Sequence, residues 1–218
     1  MNLLSKFSKG FLAVAMFGAI SAAAFTEGED YVKLQKPLPV EQNTLVKVFS
    51  YVCPFCYKYD KTVTPKVVEK VAGLKYVPFH LKTKGEYGEA ASKIFAVLAV
   101  MDEEKGVSLL DENSLFKKAK FAYYKAYHDQ KQRWSDGKDE AAFLKTGLDA
   151  AGISEADYQK KLEDPKVAEL LKKWDESYDI AKIQGVPAFV VNGKYLIMTK
   201  SISSIDGMAQ LIEELLKK

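Results

Sequence analysis

The chain of 218 residues carries 32 basic and 29 acidic side chains, a formal net charge of +3, 48% hydrophobic residues, two cysteines and two histidines. Its apolar content is enough for the cores of one or two globular domains, which excludes wholesale disorder, a collagen-like repeat and a dense disulfide scaffold. Charge this balanced, with no internal repeat and no block of one sign, also excludes a polyelectrolyte binder of nucleic acid.

Residues 1–24 stand apart from the rest. Lys6 and Lys9 precede an apolar run from Phe11 to Ile20, which ends in Ser21-Ala22-Ala23-Ala24. The run is too short for a spanning helix, and its charged start, apolar centre and small-residue end predict a secretory signal peptide; a buried N-terminal helix is the alternative. Without it the charge is closer still to balance, with a lysine-rich stretch over 45–100 beside an acid-leaning one over 101–180.

Leu45 to Tyr51 is a nearly continuous apolar run, rich in β-branched and aromatic residues, and predicts a strand buried on both faces. Cys53-Pro54-Phe55-Cys56 follows directly. Proline is tolerated in a first helical turn, so the spacing predicts a helix beginning at Pro54 with Cys53 at its N-terminus, kinked or ended by Pro65. Leu74 to Leu81 predicts a second strand, which Pro78 assigns to an edge or a bulge.

From about Gly85 to Lys182 the pattern turns helical. Ala90, Ala91, Ile94, Leu98 and Met101 recur at helical spacing, Ser114 and Asp139 are placed as N-caps, Gly152 as a stop, and Ser154 and Asp164-Pro165 as further starts. The pattern then returns to β. Ala188–Val191 and Lys194–Met198 flank Asn192-Gly193, a strong hairpin signal, and Ser203 or Ser204 caps a last helix with Met208, Leu211, Ile212, Leu215 and Leu216 on one face. These elements predict an α/β sheet domain in two parts, 25–83 and 168–218, interrupted by an all-helical insertion over 84–167.

In the oxidising compartment that export implies, Cys53 and Cys56 are expected to pair. Stability is a poor reason for the bridge, because a loop closed over so few residues constrains the unfolded chain very little. Chemistry is a better one. Unpaired N–H groups and the peptide dipoles at a helix start favour a Cys53 thiolate, while Cys56, one turn on, is expected to be the more buried partner and to resolve mixed disulfides. Stabilising the thiolate stabilises the reduced form, so such a disulfide is an oxidant that an exported protein would donate. The alternatives are an inert bridge and a metal site. For the latter one CxxC supplies too few ligands, and His80 and His128, with no ligand spacing, read as structural residues.

The run Phe49-Ser50-Tyr51-Val52-Cys53-Pro54-Phe55-Cys56-Tyr57, with Gly185-Val186-Pro187-Ala188 and Val190-Val191-Asn192-Gly193-Lys194-Tyr195, resembles the DsbA-type periplasmic thiol-disulfide oxidoreductases. The likeness extends over the chain beyond the signal segment, including Gly28-Glu29-Asp30-Tyr31 and Leu34-Gln35-Lys36-Pro37. It implies a thioredoxin-like fold with an inserted helical domain, no cofactor beyond the redox-active disulfide, no metal, and a monomer. It also implies that Pro187 is cis beside the disulfide and that Val186 offers its backbone to an extended substrate, where the residues alone would suggest an ordinary trans proline. Phe55 departs from the pattern, since well-known members carry histidine there and a phenyl ring donates no hydrogen bond; backbone N–H groups and nearby lysines would have to substitute.

Pro54-Phe55 between the cysteines, with Lys118-Ala119-Lys120-Phe121-Ala122-Tyr123-Tyr124 and Arg133-Trp134-Ser135-Asp136-Gly137-Lys138, is most similar to the DsbL branch. That branch implies reduced exported proteins as substrates, an arylsulfate sulfotransferase among them, and reoxidation by a quinone-linked membrane protein of the DsbB or DsbI type. The expected function is therefore a dithiol oxidase. The competing readings are a disulfide reductase or isomerase, and a thiol-dependent binding module, either a metal carrier or a chaperone with an apolar groove near Phe55.

Overall fold

The computed structural model describes residues 25–218, so the expected signal peptide lies outside the described residues. Five strands, β1 (Tyr31–Lys33), β2 (Thr44–Phe49), β3 (Lys75–His80), β4 (Ala188–Val191) and β5 (Tyr195–Ile197), form one sheet in the order β1-β5-β4-β2-β3. All six residues of β2 are buried. It is parallel to β3, with Thr44 opposite Lys75 and Phe49 opposite His80, and antiparallel to β4, with Leu45 opposite Val191. Pro78 lies on β3 at the sheet edge, where its missing N–H costs no ladder bond to a further strand.

The β4–β5 hairpin turns at Asn192 (φ 51°) and Gly193 (φ 66°), the two left-handed positions that this tight turn demands. At Gly193 a side chain would also strike the Leu38 carbonyl, so only glycine fits. The strand from Leu45 stops at Phe49, because Ser50 and Tyr51 already belong to the turn that leads to Cys53. β1 has too few residues to show a period, which is why the sequence reading has no strand there; its register against β5 pairs Tyr31 with Ile197.

The helices are α1 (Pro54–Thr62), α2 (Thr64–Lys70), α3 (Gly88–Glu104), α4 (Leu115–Tyr124), α5 (Trp134–Gly137), α6 (Glu140–Ala151), α7 (Glu155–Leu162), α8 (Pro165–Trp174), α9 (Ser177–Gln184) and α10 (Ile205–Leu216). The caps fall where the side chains predict. Ser114, Asp139, Ser154, Asp164 and Ser204 each accept a backbone N–H from the first turn, and Gly152 ends α6 in the left-handed region. Pro65 belongs to the first turn of α2 rather than to the end of α1. α5 is a single turn with left-handed φ at Ser135 and Asp136, and α4 runs on into a π-helical turn, Lys125–Asp129. The expected division at 167/168 falls inside α8, which continues to Trp174.

Alternation along β2 separates two cores. Leu45 faces a cluster with Val67, Phe189, Ile197, Met208, Leu211, Ile212 and Leu215, so α2 and α10 cover that side. Val46 and Val48 face the other cluster, in which α3 through Ile94, Phe95 and Leu98 joins the sheet to the helical block. Each fully buried aliphatic chain contributes about 1.5–3 kcal/mol relative to exposure. Tyr51, just after β2, reaches an aromatic group in which Phe143 stacks on Tyr87 at 4.5 Å and on Tyr123 at 4.4 Å.

His80 is buried in the second core, its Nδ1 2.7 Å from Ser92 Oγ, and burial pulls its pKa from 6.5 down to about 3. The unfolded chain therefore takes up a proton below about pH 6.5 that the folded chain refuses until about pH 3, and stability falls through that window. Denaturant unfolding should lose about 2–3 kcal/mol to this group between about pH 6.5 and pH 4.5. His80→Leu should remove that part of the slope; an unchanged slope would show that His80 is not held neutral.

Candidate active site

Cys53 and Cys56 form a disulfide at the head of α1, with Cα atoms 5.2 Å apart. Cys53 is the N-cap residue, with extended backbone (φ −91°, ψ 110°), and Pro54 opens the first turn. The turn before it is fixed by the Cys53 N–H donating to the Ser50 carbonyl at 3.1 Å and by Ser50 Oγ–H donating to the Lys84 carbonyl at 3.2 Å. Gly85 (φ 92°) lets the neighbouring loop close on this turn, since a Cβ there would lie 2.8 Å from both the Tyr51 hydroxyl and Val52 Cγ1.

Where a capping serine would offer its oxygen, Cys53 offers sulfur: the Cys56 N–H donates to Cys53 Sγ at 3.1 Å. That N–H and the positive end of the helix dipole favour negative charge on Sγ, so opening the disulfide yields a Cys53 thiolate with its partner already in place. Both cysteines are buried, Cys53 at 2% and Cys56 at 0% exposure, so the difference between them lies in hydrogen bonding more than in access. Phe55, between them, is 63% exposed and presents an apolar face beside the sulfur.

The loop from α9 to β4 completes the surface. The Val186–Pro187 peptide is cis, Val186 is half-buried, and its carbonyl oxygen approaches Cys53 Sγ to 3.3 Å. A disulfide sulfur carries no proton, so this is a contact and not a hydrogen bond. Cys53, Cys56, Pro54, Phe55, Val186 and Pro187 thus lie in two adjoining loops, although 130 or more residues separate the two groups in the chain.

Beneath α1 lies a cluster of charged groups outside the expected site. Lys47 on β2 and Lys120 on α4 both pair with Asp60 on α1, at 2.7 Å and 3.3 Å, with all three side chains no more than 1% exposed. Lys47 Nζ also donates to the Cys56 carbonyl and to Thr64 Oγ1, each at 3.3 Å. Burial pulls the Lys47 pKa down to about 8, opposed by the Asp60 carboxylate. Burial would raise that of Asp60, but Lys120 and Lys47 together hold it below the ordinary carboxylate value. Removing one member of such a buried pair typically costs about 3–5 kcal/mol, so the cluster also fixes α1 to the sheet through Lys47 and to α4 through Lys120.

On its outer side α1 is clamped to the helical block. Tyr57 stacks on Tyr124 at 4.9 Å and on His128 at 5.7 Å, and its hydroxyl donates to Asp129 at 2.9 Å. Tyr124 donates to Asp60 at 2.9 Å. His128 lies on the π-helical turn and its Nε2 is 3.0 Å from the Tyr51 carbonyl, which can only accept, so Nε2 carries the proton. Burial lowers the His128 pKa, an effect that the Tyr51 carbonyl opposes.

The reading of both histidines as structural therefore separates them. His80 is a core residue, whereas His128 touches the active-site turn, and nothing in the local sequence around it marks that contact. The signal for Lys47 was present as a lysine inside an otherwise apolar strand. A groove of about 670 Å³ runs beside β3, lined by Tyr76, Pro78, Leu109 and Trp174 among others, and it includes neither Phe55 nor the cysteines. Among the described residues no group of three or more His, Cys, Asp or Glu side chains is placed to hold a metal ion, and no helix is long and apolar enough to cross a membrane.

Comparison with known proteins gives a consistent picture. A family profile described as a DSBA-like thioredoxin domain matches residues 44–213. The sequence is 62% identical to the thiol:disulfide interchange protein DsbL of Escherichia coli O6:H1, over 100% of this chain and 99% of that one. It is 28% identical to the thiol:disulfide interchange protein DsbA of Yersinia pestis, over 89% of this chain and 88% of that one. The crystal structure of Salmonella enterica serovar Typhimurium DsbL matches with a TM-score of 0.88 and 65% identity, covering 90% of this chain and 100% of that one. DsbA of Proteus mirabilis, 23% identical over 91% of this chain and 100% of its own, shares the fold with a TM-score of 0.70.

The capping geometry generates a difference between the two thiols. In the reduced protein at mildly acidic pH, iodoacetamide should label Cys53 about ten-fold or more faster than Cys56, because only Cys53 has a thiolate-stabilising N–H from the first turn. Peptide mass spectrometry reads the ratio, and equal labelling would contradict the capping argument.

Proposed function

The chain belongs to the DSBA-like thioredoxin-domain family and is a thiol:disulfide oxidoreductase; from that premise we propose that it works in the periplasm as a dithiol oxidase of reduced exported proteins. The observation that carries the direction of transfer is the Cys56 N–H on Cys53 Sγ at a helix start. It favours the thiolate and hence the reduced form, which makes the disulfide a better electron acceptor and Cys53 a better leaving group.

In the first step a substrate thiolate attacks Cys53 Sγ. The Cys53–Cys56 bond breaks, a mixed disulfide forms at Cys53, and Cys56 takes the electron pair and a proton. A second substrate thiolate then attacks the substrate sulfur of the mixed disulfide and releases Cys53 as a thiolate. The substrate gains one disulfide and the chain gains two electrons. Cys56 is the resolving thiol, which closes back on Cys53 if the second substrate thiol is slow.

Val186 and Pro187 are the proposed frame for an extended substrate backbone, and Pro54 and Phe55 the proposed apolar rim. The half-buried Val186 peptide beside the sulfur supports the first assignment, and the exposed Phe55 ring the second. The two sheet-forming parts, 25–83 and 168–218, with the helical insertion 84–167, are the proposed domains; the clamp of Tyr57 and Tyr124 joins them across α1. No diffusible cofactor enters the cycle, because the disulfide is itself the reagent. Each turnover leaves a dithiol, so an external oxidant must restore it. A quinone-linked membrane protein of the DsbB or DsbI type is the proposed one, and an arylsulfate sulfotransferase a proposed substrate, on the strength of the likeness to DsbL.

Mixed with a reduced exported protein that normally carries disulfides, the oxidised chain should transfer its disulfide stoichiometrically. A Cys56→Ser variant pre-activated as a mixed disulfide with glutathione should exchange it at Cys53 for a single-cysteine version of that substrate and be retained as that adduct, because no second substrate thiol is there to release it. Cys53→Ser should form no adduct. Transfer in the other direction, with the reduced chain opening the substrate's disulfides, would instead make it a reductase or isomerase.

A further inference from the structure

Two ammonium groups share one carboxylate beneath the disulfide, in a place closed to water. Lys47 and Lys120 reach Asp60 from β2 and α4, and the rings of Phe49, Phe116, Phe121 and Tyr76 lie 5.1–5.8 Å from Lys120 Nζ. The hydroxyls around them, Thr64 and Tyr124 at 3.3 Å and 2.9 Å and Tyr76 at 3.5 Å, are neutral. A purely structural pair would be neutral overall, since burying a second ammonium adds a desolvation cost without balancing any charge. With all three groups ionised the cluster carries one positive charge in excess, and Lys47 Nζ lies 3.3 Å from the carbonyl oxygen of Cys56 itself.

We infer that the excess positive charge of Lys47 and Lys120 over Asp60 favours the thiolate form of the opened Cys53–Cys56 pair, and so sets the oxidising strength of the couple. The cluster supplies the stabilisation that Phe55, with no N–H on its side chain, does not. In the disulfide state the charge has no counterpart; opening the disulfide provides one, in surroundings where little water screens it. Burial lowers the pKa of both lysines, yet Lys47 at about 8 is still protonated at neutral pH. Lys47 and Lys120 are thus positioning residues that act on the cysteines through their charge. The inference rests on the reading of this disulfide as the working redox centre.

The test is the equilibrium of the full chain with reduced and oxidised glutathione, for wild type, Lys47→Met, Lys120→Met and Thr64→Val. Each lysine variant leaves Asp60 with one ammonium partner, hence a neutral pair that keeps the fold; if Lys47→Met does not fold, Lys120→Met carries the test. Lys47→Met should be a weaker oxidant by about ten-fold in the equilibrium constant, a shift of about 30 mV for a two-electron couple. Lys120→Met should shift the same way by less, because it does not touch Cys56. Thr64→Val, which removes a hydrogen bond of Lys47 and no charge, should stay within about two-fold of wild type. The iodoacetamide rate of Cys53 at mildly acidic pH should fall in the lysine variants in parallel. Lysine variants as oxidising as wild type, or more so, would overturn the inference, as would a Thr64→Val shift equal to that of Lys47→Met. A wild-type couple with a low potential would count against the oxidase reading alone, because the inference is tested by differences between variants.

Discussion

The hydrogen bond from the Cys56 amide to Cys53 Sγ is the interaction on which the rest of the site depends. It requires Cys53 to sit at the N-cap with extended backbone and Cys56 one turn further on, and the surrounding structure holds both in place. Pro54 starts the helix without leaving an N–H unpaired. The Ser50 carbonyl receives the Cys53 N–H, so the turn from β2 into α1 has one geometry available to it. A sulfur in that position is aimed at the unpaired end of a helix, where negative charge is stabilised and hydrogen-bond donors are already oriented.

Holding α1 still is the work of both faces of the fold. Toward the sheet the helix is anchored by the ion pair of Asp60 to Lys47; toward the helical block it is held by the ion pair of Asp60 to Lys120 and clamped by Tyr57 and Tyr124. The turn before Cys53 is held from above by His128 on the Tyr51 carbonyl and by the Tyr87 N–H on the Tyr51 hydroxyl. The helical insertion therefore does more than cover a core: it supplies Lys120, Tyr124 and His128 to the surroundings of the disulfide. These contacts lie within dense apolar packing, where small displacements of α1 are resisted by many neighbours at once.

Much of this was readable from the residues. The continuous apolar run into Cys-Pro-Phe-Cys located β2 and the start of α1, the cap residues located the helices of the insertion, Pro78 located the sheet edge, and Asn192-Gly193 located the hairpin. What escaped the reading is long-range. Lys47 sits in the middle of a strand read as buried on both faces, so its burial followed from the pattern; an acid to pair with it was required, but nothing local identified Asp60. The second lysine comes from α4, and His128 from a π-helical turn 77 residues along the chain from Tyr51, so only the folded structure shows what they touch. β1 is three residues long and owes its existence to pairing with β5, a tertiary contact with no local signal.

In the proposed function, local hydrogen bonding and charge at the head of α1 make the Cys53–Cys56 disulfide an oxidant without a histidine between the cysteines. The reduction potential of the wild-type couple, measured at equilibrium in glutathione buffers, tests it most directly. The expected potential lies above that of protein disulfide isomerase, about −180 mV. A value near that of thioredoxin, about −270 mV, would contradict it, because the reduced form would then have no special stabilisation for the helix end and the buried lysines to explain.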